Sequence, residues 1–150
     1  MKHGIFVTYS APELCPELGR IMAVSFRSAF SDFISKETLD RCAVAENCAA
    51  LVRGIQADGG MVVQTGWMEI EALHTLPESW GTGLGAAMLE FALEETNAWV
   101  GVGLWAFEEN RRARRFYEKH GFVPTGESRI SEFDGAVELR YQREGTQWTD

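Results

Sequence analysis

Basic residues are scarce in this chain: 14 lysines and arginines stand against 22 aspartates and glutamates, a formal net charge of −8. A nucleic-acid binder needs a basic face to neutralise phosphates, so the balance argues against that class of partner. It would instead mildly attract cationic substrates such as amines. Cysteine is sparse as well. Cys15, Cys42 and Cys48 are odd in number and fit no zinc-ligand spacing. They read as reduced, buried thiols, and no metal site is expected. Long apolar runs are missing. Nothing approaches the ~20 apolar residues of a membrane span, and Met1–Ser10 lacks the apolar stretch of a signal peptide. The expectation is a cytoplasmic protein with no membrane partner.

What is present suffices for one core. A length of 150 residues with 45% hydrophobic side chains fits a single domain, 1–150. No repeat, linker or low-complexity stretch divides it. Ile5–Thr8 reads as a short strand. Pro12–Phe30 carries Leu14, Leu18, Ile21, Met22 and Phe26 at helical spacing. Ser35 opens a second helix that runs through Leu39, Cys42 and Ala49 to Ile55 and stops before Asp58-Gly59-Gly60. Met61–Gln64 is a short β-rich run, and Trp67–Leu76 reads as a strand stopped by Pro77. Leu84–Thr96 repeats Leu84, Met88, Phe91 and Ala92 in helical register. Val100–Phe107 is a strand, and Asn110–His120 is a helix capped by Asn110 and closed by Gly121. A last strand over Val137, Leu139 and Tyr141 follows a turn at Asp134-Gly135. The order β-α-α-β-β-α-β-α-β predicts an α/β (α+β) fold, a mixed sheet with helices on its faces.

The strongest local signal is Pro77-Glu78-Ser79-Trp80-Gly81-Thr82-Gly83-Leu84-Gly85, a strand end running into a helix. Glycines let backbone approach a ligand closely. The first turn of a helix offers unpaired N–H groups and a positive dipole end. Together they make a seat for phosphate; a plain tight turn is the alternative. The G-x-G-x-G spacing is neither a dinucleotide fingerprint nor a Walker loop.

A second constellation spans Leu104–Phe122. Asn110 and Tyr117 are seven apart, about two helical turns, and face one side. Tyr117 is either a core aromatic like Phe116 or a general acid. Its reference pKa of ~10 lies above the ~8.5 of a thiol, so it stands ready to donate a proton to a leaving thiolate.

These two constellations, in this order and at this separation, resemble the GNAT superfamily of acyl-CoA-dependent N-acyltransferases. The residues that carry the likeness are Leu73-His74-Thr75-Leu76-Pro77 with Trp80-Gly81-Thr82-Gly83-Leu84-Gly85, then Asn110, Ala113 and Tyr117-Glu118-Lys119-His120-Gly121-Phe122. They fall in roughly the last two-thirds of the chain. The resemblance implies a central mixed β-sheet flanked by helices on both faces, with a splayed strand at the cofactor cleft. It implies an N-acetyltransferase that moves an acetyl group from acetyl-CoA directly to a primary amine. The alternative is a catalytically degenerate module that senses acyl-CoA.

By the same resemblance, the backbone of Leu73, His74 and Thr75 would bond the pantetheine arm, and one of its N–H groups would stabilise the oxyanion. Amides of Gly81, Thr82, Gly83, Leu84, Gly85 and Ala86 would hold the pyrophosphate. Asn110 would contact the cofactor or a bridging water, or act simply as the helix cap. Tyr117 would protonate the departing thiolate. A base must take a proton from the amine; Glu69 is the first choice and Glu71 the rival, since both lie two apart on the Trp67–Leu76 strand. Arg111, Arg112, Arg114 and Arg115 form either a solvated face or a grip on coenzyme A phosphates. Homodimers are common in the superfamily. Two departures stand out. Trp80 occupies the place of the usual Arg or Gln, and Met61–Met68 is shorter than the roughly 12–16 residues that a two-strand hairpin needs.

Overall fold

The computed structural model describes residues 12–57, 67–94 and 101–145. The expected strands Ile5–Thr8 and Met61–Gln64, the end of the Leu84–Thr96 helix and the start of the strand from Val100 lie outside the described residues. So does most of the short Met61–Met68 connection.

Pro12–Leu14 make one 3₁₀ turn leading into α1, Cys15–Phe30, which places Pro16 in its first turn where a missing N–H is harmless. Cys15, Gly19, Met22 and Ala23 recur at helical spacing and are buried. The helix expected from Ser35 to Ile55 proves to be two. The Ser35 hydroxyl accepts the Thr38 N–H at 3.2 Å and starts α2, Lys36–Cys42; α3 spans Ala45–Ala57. Ala43 leaves the helical region at φ −85°, ψ 58° and tucks its methyl beside Ile34 and Leu39. The break lets α3 lie flat on α1, where a Cβ on Gly19 would come within 2.5 Å of the Ala49 nitrogen. Cys15 and Cys48 are buried there, whereas Cys42 is only half-buried.

Among the described residues, four strands form one mixed sheet in the order β1-β2-β4-β3. β1, Trp67–Ile70, runs parallel to β2, Gly101–Phe107; β4, Val137–Glu144, is antiparallel to both β2 and β3, Val123–Ile130. Alternation along β2 assigns the two faces. Val102, Leu104 and Ala106 pack with Leu89 of α4 (Leu84–Glu94), Tyr117 of α5 (Arg111–Lys119) and Phe122. Phe107 points the other way and meets Phe30 and Phe33 at ring separations of 4.9 and 5.4 Å. Helices therefore cover both faces, as expected.

Two further expectations change. The Trp67–Leu76 strand pairs only as far as Ile70; beyond it no strand accompanies residues 71–76 among the described residues. Side chains hold this segment off the sheet. His74 Nδ1 is hydrogen-bonded to Ser25 Oγ of α1 at 3.1 Å, and the Trp80 indole N–H donates to the Thr75 carbonyl at 3.2 Å. β3 is a strand that the sequence pattern does not signal. Its eight residues are all exposed, and Pro124 and Gly126 (φ 92°) sit at an irregularity in its pairing with β4. Among the described residues no helix is long and apolar enough to cross a membrane.

Candidate active site

Where residues 71–76 part from β2, a cleft of about 600 Å³ opens. Its floor is the backbone of Leu73, His74 and Thr75, whose polar groups have no strand neighbour among the described residues. A 3₁₀ turn, Pro77–Ser79, then carries the chain into the glycine loop and α4. Gly81 and Gly83 take φ of 75° and 91°, a region that disfavours side chains, and a Cβ on either would meet nothing within 4 Å. Thr82 turns inward, its N–H donating to the Ser79 carbonyl at 3.3 Å and its hydroxyl to the same atom at 2.6 Å. The N–H groups of Gly83, Leu84, Gly85 and Ala86 open α4 and lack intrahelical partners. A Cβ on Gly85 would lie 3.6 Å from the Phe116 ring, in ordinary van der Waals contact.

α5 supplies the opposite wall. Asn110 caps it by accepting the Ala113 N–H at 3.2 Å, which occupies the side-chain oxygen and leaves the amide NH₂ for the cleft that Asn110 lines. Tyr117 sits two turns on, only 8% exposed, wedged edge-on between Phe116 and Phe122. Burial pushes its phenol up to about 12, so it keeps its proton at any ordinary pH. The ring of Tyr117 belongs to the core, and the same side chain lines the cleft.

The four arginines of α5 divide. Arg114 is structural, donating to the Tyr141 hydroxyl at 3.0 Å and to the Glu108 carbonyl at 2.9 Å. Tyr141 passes the bond on to Glu118 at 2.8 Å. Arg112 instead lies over the Trp80 indole, its Cζ 3.5 Å from the ring centroid, and both line the cleft beside Gly81. Partial burial lowers the pKa of Arg112. The Trp80–Arg112 stack was not visible in the sequence, because it joins two segments through ring geometry rather than through a motif.

The two carboxylates of the strand separate. Glu69 is bound by Arg140 of β4 at 2.5 Å and does not line the cleft; the guanidinium crosses β2 over Gly103, where a Cβ would meet it at 2.1 Å. Glu71 lies past the last paired residue, lines the cleft and has no ion-pair partner among the described residues. A glycine in the middle of a central strand was the sequence signal for that close crossing. His74 faces α1, and burial lowers its pKa to about 4, so the ring is neutral.

Comparison with known proteins bears on the same residues. The sequence profile described as the acetyltransferase (GNAT) family matches residues 14–122. An uncharacterized N-acetyltransferase of Mycobacterium tuberculosis is 34% identical over 80 residues, which are 52% of this chain and 46% of that protein. One from Archaeoglobus fulgidus is 40% identical over 74 residues, 41% of this chain and 50% of that protein. The chain thus matches about half the length of these relatives. In fold, it is similar to the paia N-acetyltransferase of Thermoplasma acidophilum in complex with coenzyme A (TM-score 0.71, 13% identity, 90% of this chain and 95% of that one). It is also similar to a GCN5-related N-acetyltransferase of Rhodopseudomonas palustris (TM-score 0.65, 15% identity, 95% and 99% covered). With a family profile matched across α1 to α5 and a sheet that splays beside the glycine loop, the chain belongs to the acetyltransferase (GNAT) family.

Proposed function

We propose that the protein is an acetyl-CoA-dependent N-acetyltransferase that passes the acetyl group directly to a primary amine. One observation carries this reading. A stretch of backbone with no strand partner among the described residues, residues 71–76, runs into a glycine-opened helix start, and a buried phenol lines the same cleft. These features fit a long, amide-bearing, phosphorylated ligand. The free strand edge matches amide groups, as in strand addition, and the open side of Gly81 and Gly83 leaves room for phosphate against the α4 amides.

Bound acetyl-CoA supplies an electrophilic thioester carbon. Leu73, His74 and Thr75 would align the ligand through their main chain, and an N–H there would receive the charge that develops on the carbonyl oxygen. Gly83 to Ala86 would hold the pyrophosphate, with the Arg112 guanidinium on Trp80 adding positive charge at the same end. Glu71 is the base in this reading, in place of Glu69, because Arg140 holds Glu69 away from the cleft. Glu71 takes a proton from the amine, the nitrogen bonds to the acetyl carbon, and the carbon–sulfur bond breaks. Tyr117 hydrogen-bonds the departing sulfur and gives it a proton, which water restores. Desolvation disfavours a free thiolate in the same cleft, which favours its protonation.

Calorimetric titration with acetyl-CoA and with coenzyme A tests the cofactor site first, with micromolar binding expected. Thiol release in the presence of amines then tests turnover. Tight binding with no release for any amine would favour the sensor; no binding at all would remove the reading.

A further inference from the structure

The cleft continues past the cofactor wall toward α1, and that end is built differently. Phe26 and Phe30 of α1, Phe107 of β2 and Phe133 of the β3–β4 turn line it. Their rings touch in sequence: Phe26–Phe30 at 5.0 Å, Phe30–Phe107 at 4.9 Å, Phe107–Phe133 at 6.2 Å and Phe133–Phe26 at 6.3 Å. Three of the four are only half-buried, so ring surface remains for a ligand. Two carboxylates line the cleft, Glu71 and Glu138. Glu138 is held by Arg129 at 2.6 Å, and Trp105 is covered by Arg129 at 4.4 Å and Arg140 at 5.4 Å. Glu71 is the one carboxylate lining the cleft that has no cationic partner among the described residues.

Resting on the acetyltransferase reading, we propose that the acceptor is a singly charged primary amine on an aromatic body, of the arylalkylamine class. Its ring packs on the Phe26–Phe30–Phe107–Phe133 wall and its nitrogen faces Glu71. An aromatic guest extends the tilted and edge-to-face contacts that the wall already makes. A polyamine is disfavoured by the same geometry. Its second ammonium would lose water against phenylalanines with no carboxylate to receive it, or would meet the two guanidinium groups over Trp105.

The test compares 2-phenylethylamine, n-butylamine and spermidine as titrants of the protein saturated with coenzyme A, alongside titration with acetyl-CoA itself. Phenylethylamine is expected to bind at least about tenfold more tightly than the other two. Phe133→Ala should remove most of that preference, and Glu71→Gln should weaken all three amines, with acetyl-CoA affinity unchanged in both variants. Phe26→Leu gives a second, conservative reading of the wall should Phe133→Ala fold poorly. Equal or tighter binding of spermidine, or a preference that survives both wall variants, overturns the proposal while retained acetyl-CoA binding leaves the activity standing. Loss of acetyl-CoA binding by the unmodified protein overturns both.

Discussion

Tyr117 and Arg112 lie on the same helix, and kinetics can separate the roles proposed for them. The Tyr117 phenol is buried beside Phe116 and Phe122 and holds its proton. Replacing it with phenylalanine keeps the ring in the core and removes only the donor. Tyr117→Phe should lower kcat by about 100-fold or more, the range of a general acid, with the KM for acetyl-CoA nearly unchanged; steady-state thiol release measures both. Unaltered kcat would reduce Tyr117 to a packing residue. Arg112 should behave oppositely. Its guanidinium over Trp80 faces the cofactor end of the cleft, so Arg112→Ala should raise the acetyl-CoA KM about tenfold, the scale of one charge-assisted contact, with kcat preserved. Arg112→Lys keeps the charge but not the stack and should fall between. Added salt should narrow the gap between wild type and Arg112→Ala.

At the scale of elements, α1 and α3 show how packing overrides local preference. Both Gly19 and Gly54 lie inside helices, where glycine costs about 1 kcal/mol relative to alanine. At Gly19 a Cβ would strike the Ala49 nitrogen and the Ala45 carbonyl oxygen at 2.5 and 2.6 Å; at Gly54 it would meet nothing within 4 Å. Gly19→Ala should therefore destabilise by about 1–3 kcal/mol, and Gly54→Ala should be neutral or stabilising by up to about 1 kcal/mol. Denaturant unfolding of both variants checks the pair, and equal effects would mean that α1 and α3 do not meet at Gly19. The contrast also shows what was legible in the sequence. The glycine loop and the α5 caps could be read because their chemistry is local: a turn, a helix start, a cap three residues away. The break at Ala43 carries no local breaker residue and is set by burial beside Ile34 and Leu39. β3 is exposed along its length and has no alternation to detect. The Glu69–Arg140 pair, 71 positions apart in the chain, was not legible because the two meet only across β2 in the folded sheet.

For the whole molecule, the question is what joins the helical layer of α1, α2 and α3 to the sheet across an open cleft. Ring contacts and apolar packing supply part of the answer, and two polar ties add to it. His74 meets Ser25 of α1, and Asp134, in the β3–β4 turn at φ 55°, accepts the Thr38 hydroxyl and the Ser35 N–H at the start of α2. Both ties need the deprotonated side chain, but they fail in different pH windows. Burial lowers His74 from 6.5 to about 4, so the unfolded chain binds a proton that the folded one refuses. Stability from neutral His74 is whole above pH ~6.5 and declines by about 3 kcal/mol as pH falls to ~4. The Asp134 carboxyl is held below its ordinary value by the Thr38 hydroxyl first and then by Ser35. Its contribution persists until pH falls beneath ~3.9 and is lost toward the lower folded value. The melting-temperature gap between wild type and His74→Asn should therefore close between pH 6.5 and 4. The gap to Asp134→Asn should hold across that interval and shrink only below it. Parallel closure of the two gaps would show that general acid unfolding governs both ties. Closure in the stated order would mean that the cleft loosens first on its His74 side, where residues 71–76 present their backbone, while the Asp134 turn still holds α2.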